Sequence, residues 1–174
     1  MKRSRADAAR RIRSALAPAA AVALAMHCSG GLGAEPKLLP PERAFAFSAQ
    51  ALDDRTVEAR FAIASGYYLY REKLRFSVEP ASLVAPPALP PGKIKDDAFF
   101  GKVETYRGEL AVRLPLASAG PGQRISIQAE SQGCADVGVC YPPQTQRVTV
   151  MLPLPGARPD APVAATPPRK TWFN

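Results

Sequence analysis

Apolar and polar residues alternate with period two over several short stretches of the chain. Between Arg55 and Ile63, Val57, Ala59, Phe61 and Ile63 share one side, and Thr56, Glu58, Arg60 and Ala62 the other. That is the pattern of a half-buried strand. Leu110, Val112, Leu114 and Leu116 repeat it against Ala111, Arg113 and Pro115, with Pro115 marking the end of an edge strand. Ile125, Ile127 and Ala129 do so against Arg124, Ser126, Gln128 and Glu130, and Val148 and Val150 within Arg147 to Leu152. Leu74, Phe76 and Val78 form a strand that stops at Pro80, and Ala44 to Ala49 is strand-like although its alanines weaken the alternation. Tyr67-Tyr68-Leu69-Tyr70 follows the Ser65-Gly66 break. Side chains alternate along a strand, so its three tyrosines cannot share one face and at least one should face away from the core.

Turn signals divide these stretches. Val103 to Tyr106 and Glu109 to Leu116 are expected to form a hairpin around Arg107-Gly108. Pro80 to Pro91 should be an irregular connection. Lys93 to Gly101 is expected to be a charged, Gly-terminated loop with Phe99 and Phe100 at its tip, either anchoring it in the core or covering a neighbouring group. The pattern predicts seven or eight short strands and no convincing amphipathic helix, hence an all-β, immunoglobulin-like sandwich. About 120 residues suffice for one core. The Pro- and Ala-rich stretch 154–174 is expected to be a disordered tail following a domain over 35–153.

The first residues change the charge balance. Lys2, Arg3, Arg5, Arg10, Arg11 and Arg13 precede an apolar run from Ala15 to Met26 and a small-residue patch from Ser29 to Ala34. These are the parts of a cleaved secretory signal over 1–34, and the run is too short to span a bilayer. Without that leader, the formal charge falls from +8 to +3, which gives no argument for a nucleic-acid partner. The only histidine, His27, and one cysteine, Cys28, leave with it. A mature chain without histidine has no Ser-His or Cys-His relay and no His-containing metal site.

What remains reactive is the pair Cys134 and Cys140 in Gln132-Gly133-Cys134-Ala135-Asp136-Val137-Gly138-Val139-Cys140-Tyr141-Pro142-Pro143. Export puts the pair in an oxidising compartment where disulfides persist. As a staple, a disulfide closing this loop would contribute roughly 2–2.5 kcal/mol, and cysteine count alone favours that bland reading. A redox pair is the alternative, and Cu(I) held by two thiolates is a third. Gly133 and Gly138 permit tight turns and Pro142-Pro143 stiffens the exit. Asp136 would tend to raise a nearby thiol pKa.

This loop resembles the active-site loop of the N-terminal periplasmic domain of the thiol:disulfide interchange protein family DsbD. Pro41 to Phe47, Gly66 to Arg71, Asp97 to Lys102 and Tyr106-Arg107 occur in the order of that family's motifs, so the resemblance runs from about Leu38 to Leu152. It implies an immunoglobulin-like fold and a protein-disulfide reductase-type activity that needs no cofactor beyond the Cys134–Cys140 pair. It further implies that Cys140 forms mixed disulfides and Cys134 resolves them. Asp97 to Gly101 would be a cap loop in which Phe99 shields the sulfurs, beside Phe100. Tyr68, Tyr70, Asp136 and Tyr141 would surround the site. The implied partners are a thioredoxin-like donor domain or membrane reductase, and disulfide isomerase-type clients in the periplasm. A monomer without a nucleic-acid partner is expected. Ala98 stands where the family often has an acid, which implies altered proton handling. Because no membrane domain follows the tail, electrons are expected from a separate protein, or the chain is a stand-alone relative with another client.

Overall fold

The computed structural model describes residues 38–97 and 100–166. The leader expected over 1–34, Ala98, Phe99 and the end of the tail lie outside the described residues. Twelve strands in three sheets are formed among the described ones. The alternating stretches supply the two layers of a sandwich. In the first, β1 (Phe45–Ala51) and β2 (Thr56–Ile63) pair antiparallel along their full length, and β2 pairs likewise with β8 (Gly108–Ala117). In the second, β9 (Arg124–Ser131) lies between β4 (Arg75–Glu79) and β11 (Gln144–Met151). The residues read as inward do bury: Val57, Ala59, Phe61 and Ile63 from β2, Leu110 to Leu116 in steps of two from β8, and Ile125, Ile127 and Ala129 from β9. Each large apolar side chain so buried contributes about 1.5–3 kcal/mol, and Phe47 and Phe61 add a ring contact at 5.0 Å.

Several expectations need correction. Lys93 to Gly101 is not wholly a loop: Lys93–Asp97 is a strand, β6, paired with β7 (Gly101–Tyr106). Its charged side chains suit an edge strand, which buries little, so charge there did not signal a loop. Nor do β7 and β8 make a hairpin. They belong to different sheets, with the single residue Arg107 between them, because the chain crosses from one sheet to the other there. Pro115 is not at a free edge: it pairs with Thr56 of β2, while its other flank meets only the two-residue strand β5 (Ser82–Leu83). The leading segment contains one helical turn, Pro41–Ala44, with proline at its first position. The expected disordered tail is partly ordered: β12 (Val163–Ala164) pairs with β1, and Ala165 N–H bonds the Phe47 carbonyl at 2.8 Å. A sheet edge accepts backbone bonds from any sequence, so composition could not reveal that docking.

The third sheet, in the order β10 (Gly133–Ala135), β3 (Tyr67–Tyr70), β7, β6, carries the cysteine loop.

Candidate redox site

All four residues of β3 are buried, which the tyrosine parity had not anticipated. Tyr67 and Leu69 enter the main core, while Tyr68 and Tyr70 point the other way and form a second cluster with Val103 and Cys134. The parity argument therefore holds, but the outer face is itself covered. β10 runs antiparallel beside β3, with Cys134 opposite Tyr68 and Gly133 opposite Leu69. Gly133 is needed for that approach: a Cβ there would lie 2.2 Å from the Tyr68 carbonyl oxygen and 2.7 Å from Cζ of Phe45.

From β10 the chain turns through a tight hairpin. Ala135 N–H bonds the Val139 carbonyl at 2.8 Å, Gly138 N–H the Ala135 carbonyl at 3.0 Å, and Tyr141 N–H the Gly133 carbonyl at 2.9 Å. Gly138 has φ +87°, the left-handed residue that a three-residue hairpin loop requires. Between the two outer bonds, Cys134 and Cys140 face each other with Cα atoms 3.9 Å apart and are joined by a disulfide. Such non-hydrogen-bonded pairs bring side chains closest in an antiparallel ladder. The hairpin is therefore held by its own backbone bonds as well as by the disulfide. The two cysteines are unequal in burial: Cys134 is 0 % exposed, whereas Cys140 is half-buried.

Asp97, at the end of β6, organises the polar side of the cluster. Its Oδ2 accepts the hydroxyl protons of Tyr70 at 2.8 Å and Tyr68 at 2.9 Å, with Lys95 Nζ 3.6 Å away, and its Oδ1 accepts Phe100 N–H at 3.2 Å. A buried carboxylate needs such donors and a nearby cation. The Tyr70 oxygen lies 3.1 Å from Cys134 Sγ and 3.9 Å from Cys140 Sγ. With its proton directed at Asp97, that oxygen presents a lone pair to a Cys134 thiol once the disulfide opens, giving a chain Cys134–Tyr70–Asp97. Burial, then the Tyr68 and Asp97 hydrogen bonds, push the Tyr70 phenol far above its ordinary value, so it stays protonated at neutral pH.

Of the aromatic pair in the cap, Phe100 is 49 % exposed and sets its ring edge-on to Tyr70 at 5.3 Å, under Lys73 Nζ at 5.1 Å. Phe99, expected to shield the sulfurs, lies outside the described residues. Tyr141 stands apart from the sulfurs. Its ring meets Phe45 at 5.5 Å in the main core, and its hydroxyl donates to the Leu39 carbonyl at 2.6 Å. It follows Cys140, so strand alternation sends it inward, where it anchors the segment before β1.

Asp136 does not bear on the thiols as an uncompensated charge. Arg107 grips both its oxygens, at 2.6 and 3.0 Å, and that hydrogen bonding holds the Asp136 carboxyl below the usual carboxylate range. Arg107 also lies 5.1 Å from the Tyr68 ring centroid, whose ring Lys95 Nζ approaches at 4.8 Å. Sequence reading passed over Arg107, Lys95 and Lys73. The signals available for Arg107 were its place between two strand patterns and its part in the Tyr106-Arg107 motif, neither of which gave it a role.

Cys140 is partly exposed beside the exposed apolar side chains of Val137 and Val139, and Cys134 is buried next to the Tyr70 hydroxyl. This arrangement suits thiol–disulfide exchange. The comparisons agree with it. Residues 35–152 match the family described as thiol:disulfide interchange protein DsbD, N-terminal. A thiol:disulfide interchange protein DsbD of Ralstonia nicotianae is 51% identical over 129 residues, covering 73% of this chain and 20% of that protein. DsbD 2 of Pseudomonas aeruginosa is 48% identical over 109 residues, 62% of this chain and 17% of that protein. The chain thus spans about a fifth of the length of the curated relatives it matches. Among solved structures, the reduced DsbD N-terminal domain of Neisseria meningitidis superposes with TM-score 0.62 at 36% identity, covering 74% of this chain and 96% of that one. The DsbD N-terminal domain in a complex with the PilB N-terminal domain, also from Neisseria meningitidis, gives 0.56 at 37% identity, covering 73% and 94%. With the sandwich, the cysteine hairpin and these matches in agreement, the chain belongs to the family of DsbD N-terminal domains, an immunoglobulin-like disulfide-interchange module.

Proposed function

We propose that the chain is a periplasmic thiol–disulfide exchange module that passes two electrons to client proteins through Cys140 and Cys134. The observation that carries this reading is the unequal burial of two cysteines on a hairpin held by its own backbone bonds. In the reduced form, the Cys140 thiolate attacks one sulfur of a client disulfide. A mixed disulfide forms and the client's other sulfur leaves as thiolate. Cys134, giving up its proton toward Tyr70 and Asp97, then attacks Cys140 Sγ. The second client thiolate leaves and the Cys134–Cys140 bond re-forms. The client ends as a dithiol, its two leaving thiolates taking up the equivalent of the two protons that the module's thiols lose. No cofactor enters the cycle. A thioredoxin-like domain or membrane reductase returns the two electrons.

Disulfide isomerase-type proteins are the proposed clients. The solved complex of a related domain with a PilB N-terminal domain supports a protein partner. Trapping tests the reading. In exporting cells, a Cys134→Ser variant should accumulate proteins joined to Cys140 through bonds that a reductant cleaves, and a Cys140→Ser variant should not. No Cys140-linked adduct, or a Cys134–Cys140 potential far below about −300 mV, would return the pair to the role of staple.

A further inference from the structure

Arg107 has more contacts at the site than its position on the chain requires. It is the single residue between β7 and β8. Its guanidinium reaches Asp136 Oδ1 at 2.6 Å and Oδ2 at 3.0 Å, the Tyr67 carbonyl at 3.2 Å, and the face of the Tyr68 ring at 5.1 Å. Asp136 is the first residue of the loop between the two cysteine positions, and its own N–H bonds the Gly66 carbonyl at 2.8 Å. The loop is thus moored at two points to structure that belongs to neither cysteine strand. A half-exposed ion pair is ordinarily worth little. This one is forked, stacked on an aromatic ring and shared with a backbone acceptor, and each of these features fixes its geometry.

The mooring matters most when the disulfide is open. The covalent tie between Cys134 and Cys140 is then absent, and Cys140 carries a client while buried Cys134 must reach its sulfur. Rates of such intramolecular steps depend steeply on how closely the reacting atoms are held. Building on the exchange reading above, we propose that Arg107 is a positioning residue for the resolving step. Its clasp on Asp136 holds the hairpin loop against β3 while the disulfide is open, keeping Cys140 Sγ within reach of Cys134.

The test uses the reduced protein and a coloured aromatic disulfide, dithio-bis-nitrobenzoate. Attack by Cys140 forms a mixed disulfide and releases one nitrothiobenzoate. Attack by Cys134 on Cys140 Sγ releases the second and closes the protein disulfide, so the probe is reduced by the two electrons the dithiol loses. Stopped-flow absorbance separates the phases. Arg107→Ala should leave the first phase within about twofold and slow the second roughly three- to tenfold. Asp136→Asn should slow it similarly, and the double variant no further, because the two side chains act as one unit. Where the rate of opening is unchanged, a tenfold loss in closure also appears at equilibrium as a potential about 30 mV higher. Arg107→Lys keeps the charge but not the fork, and should recover only part of the rate.

An unchanged ratio of phases in Arg107→Ala overturns the proposal, and so does full recovery by Arg107→Lys, which would assign the effect to charge alone. Should Arg107→Ala not fold, Asp136→Asn carries the same test, because it leaves the Arg107 contacts to Tyr67 and Tyr68 in place. If the unsubstituted protein releases no second nitrothiobenzoate, it is the exchange reading that fails, and this inference falls with it.

Discussion

Tyr70→Phe removes one oxygen from the centre of the site and leaves the ring that meets Tyr68 and Phe100. That oxygen is 2.8 Å from a carboxylate oxygen of Asp97 and 3.1 Å from Cys134 Sγ. A hydrogen bond to a charged acceptor contributes about 1.5–3 kcal/mol net. Asp97 keeps the Tyr68 hydroxyl and the Phe100 N–H, so the lower half of that range is expected. At about 4 °C per kcal/mol for a domain of this size, Tm should fall by roughly 6–9 °C. The kinetic effect is larger in kind. Cys134 is sealed from solvent, so as a thiol it can lose its proton only to a neighbour, and Tyr70 is the neighbour that leads to Asp97. Acid–base partners of this sort contribute about 10²–10⁴-fold, and a water replacing the lost hydroxyl would recover part of it. Resolution should therefore slow by at least about tenfold, with the attack of Cys140 on the probe little changed. Two-phase nitrothiobenzoate release reads the step directly, and thermal unfolding of the oxidised protein reads the stability. If Tm falls as expected while the second phase keeps its rate, Tyr70 is a structural hydroxyl and the proton path through it is wrong.

Two further outcomes follow from the same geometry. Gly133→Ala drives a Cβ into the Tyr68 carbonyl and the Phe45 ring, where relief requires parting β10 from β3. A loss of about 1–3 kcal/mol or more is expected in chemical denaturation, and a loss below about 0.5 kcal/mol would show that β10 is not held so close. Burial, then the Tyr67 hydroxyl, push the Tyr141 phenol up to about 12. A raised phenol favours the fold while it stays neutral. Its contribution is complete below the ordinary value near 10 and is lost as pH rises through about 12. Ultraviolet titration should show Tyr141 among several late-ionising tyrosines, with Tyr70 and Tyr106 also raised, and Tyr141→Phe should remove one of them and lessen the alkaline fall in stability across that window.

How far the sequence carried the fold can be judged element by element. β2, β8 and β9 were legible because each has one face in the core and one in water, and that asymmetry is written as alternation. β6 was not, because an edge strand of Lys93, Lys95, Asp96 and Asp97 has no apolar buried face, and the one residue it buries is the acid Asp97. β12 was hidden for a related reason: backbone pairing to an open edge needs no particular side chains. The supposed hairpin at Arg107 failed because a turn signal says that the chain bends, not which sheet receives it.

The site divides along the same line. Its reactive atoms were legible in the sequence: beyond the expected leader, which holds Cys28, the thiols are Cys134 and Cys140, with Gly138 already in place for a tight loop. The tertiary structure alone decided how their surroundings act. It turned Asp136 from a free charge into the partner of Arg107, made Asp97 the acceptor for both tyrosines, and sent Tyr141 into the core. Charge and hydrogen bonding depend on distances of a few ångströms between side chains far apart on the chain. Local pattern constrains which way a residue faces along its own strand, but not what stands opposite it.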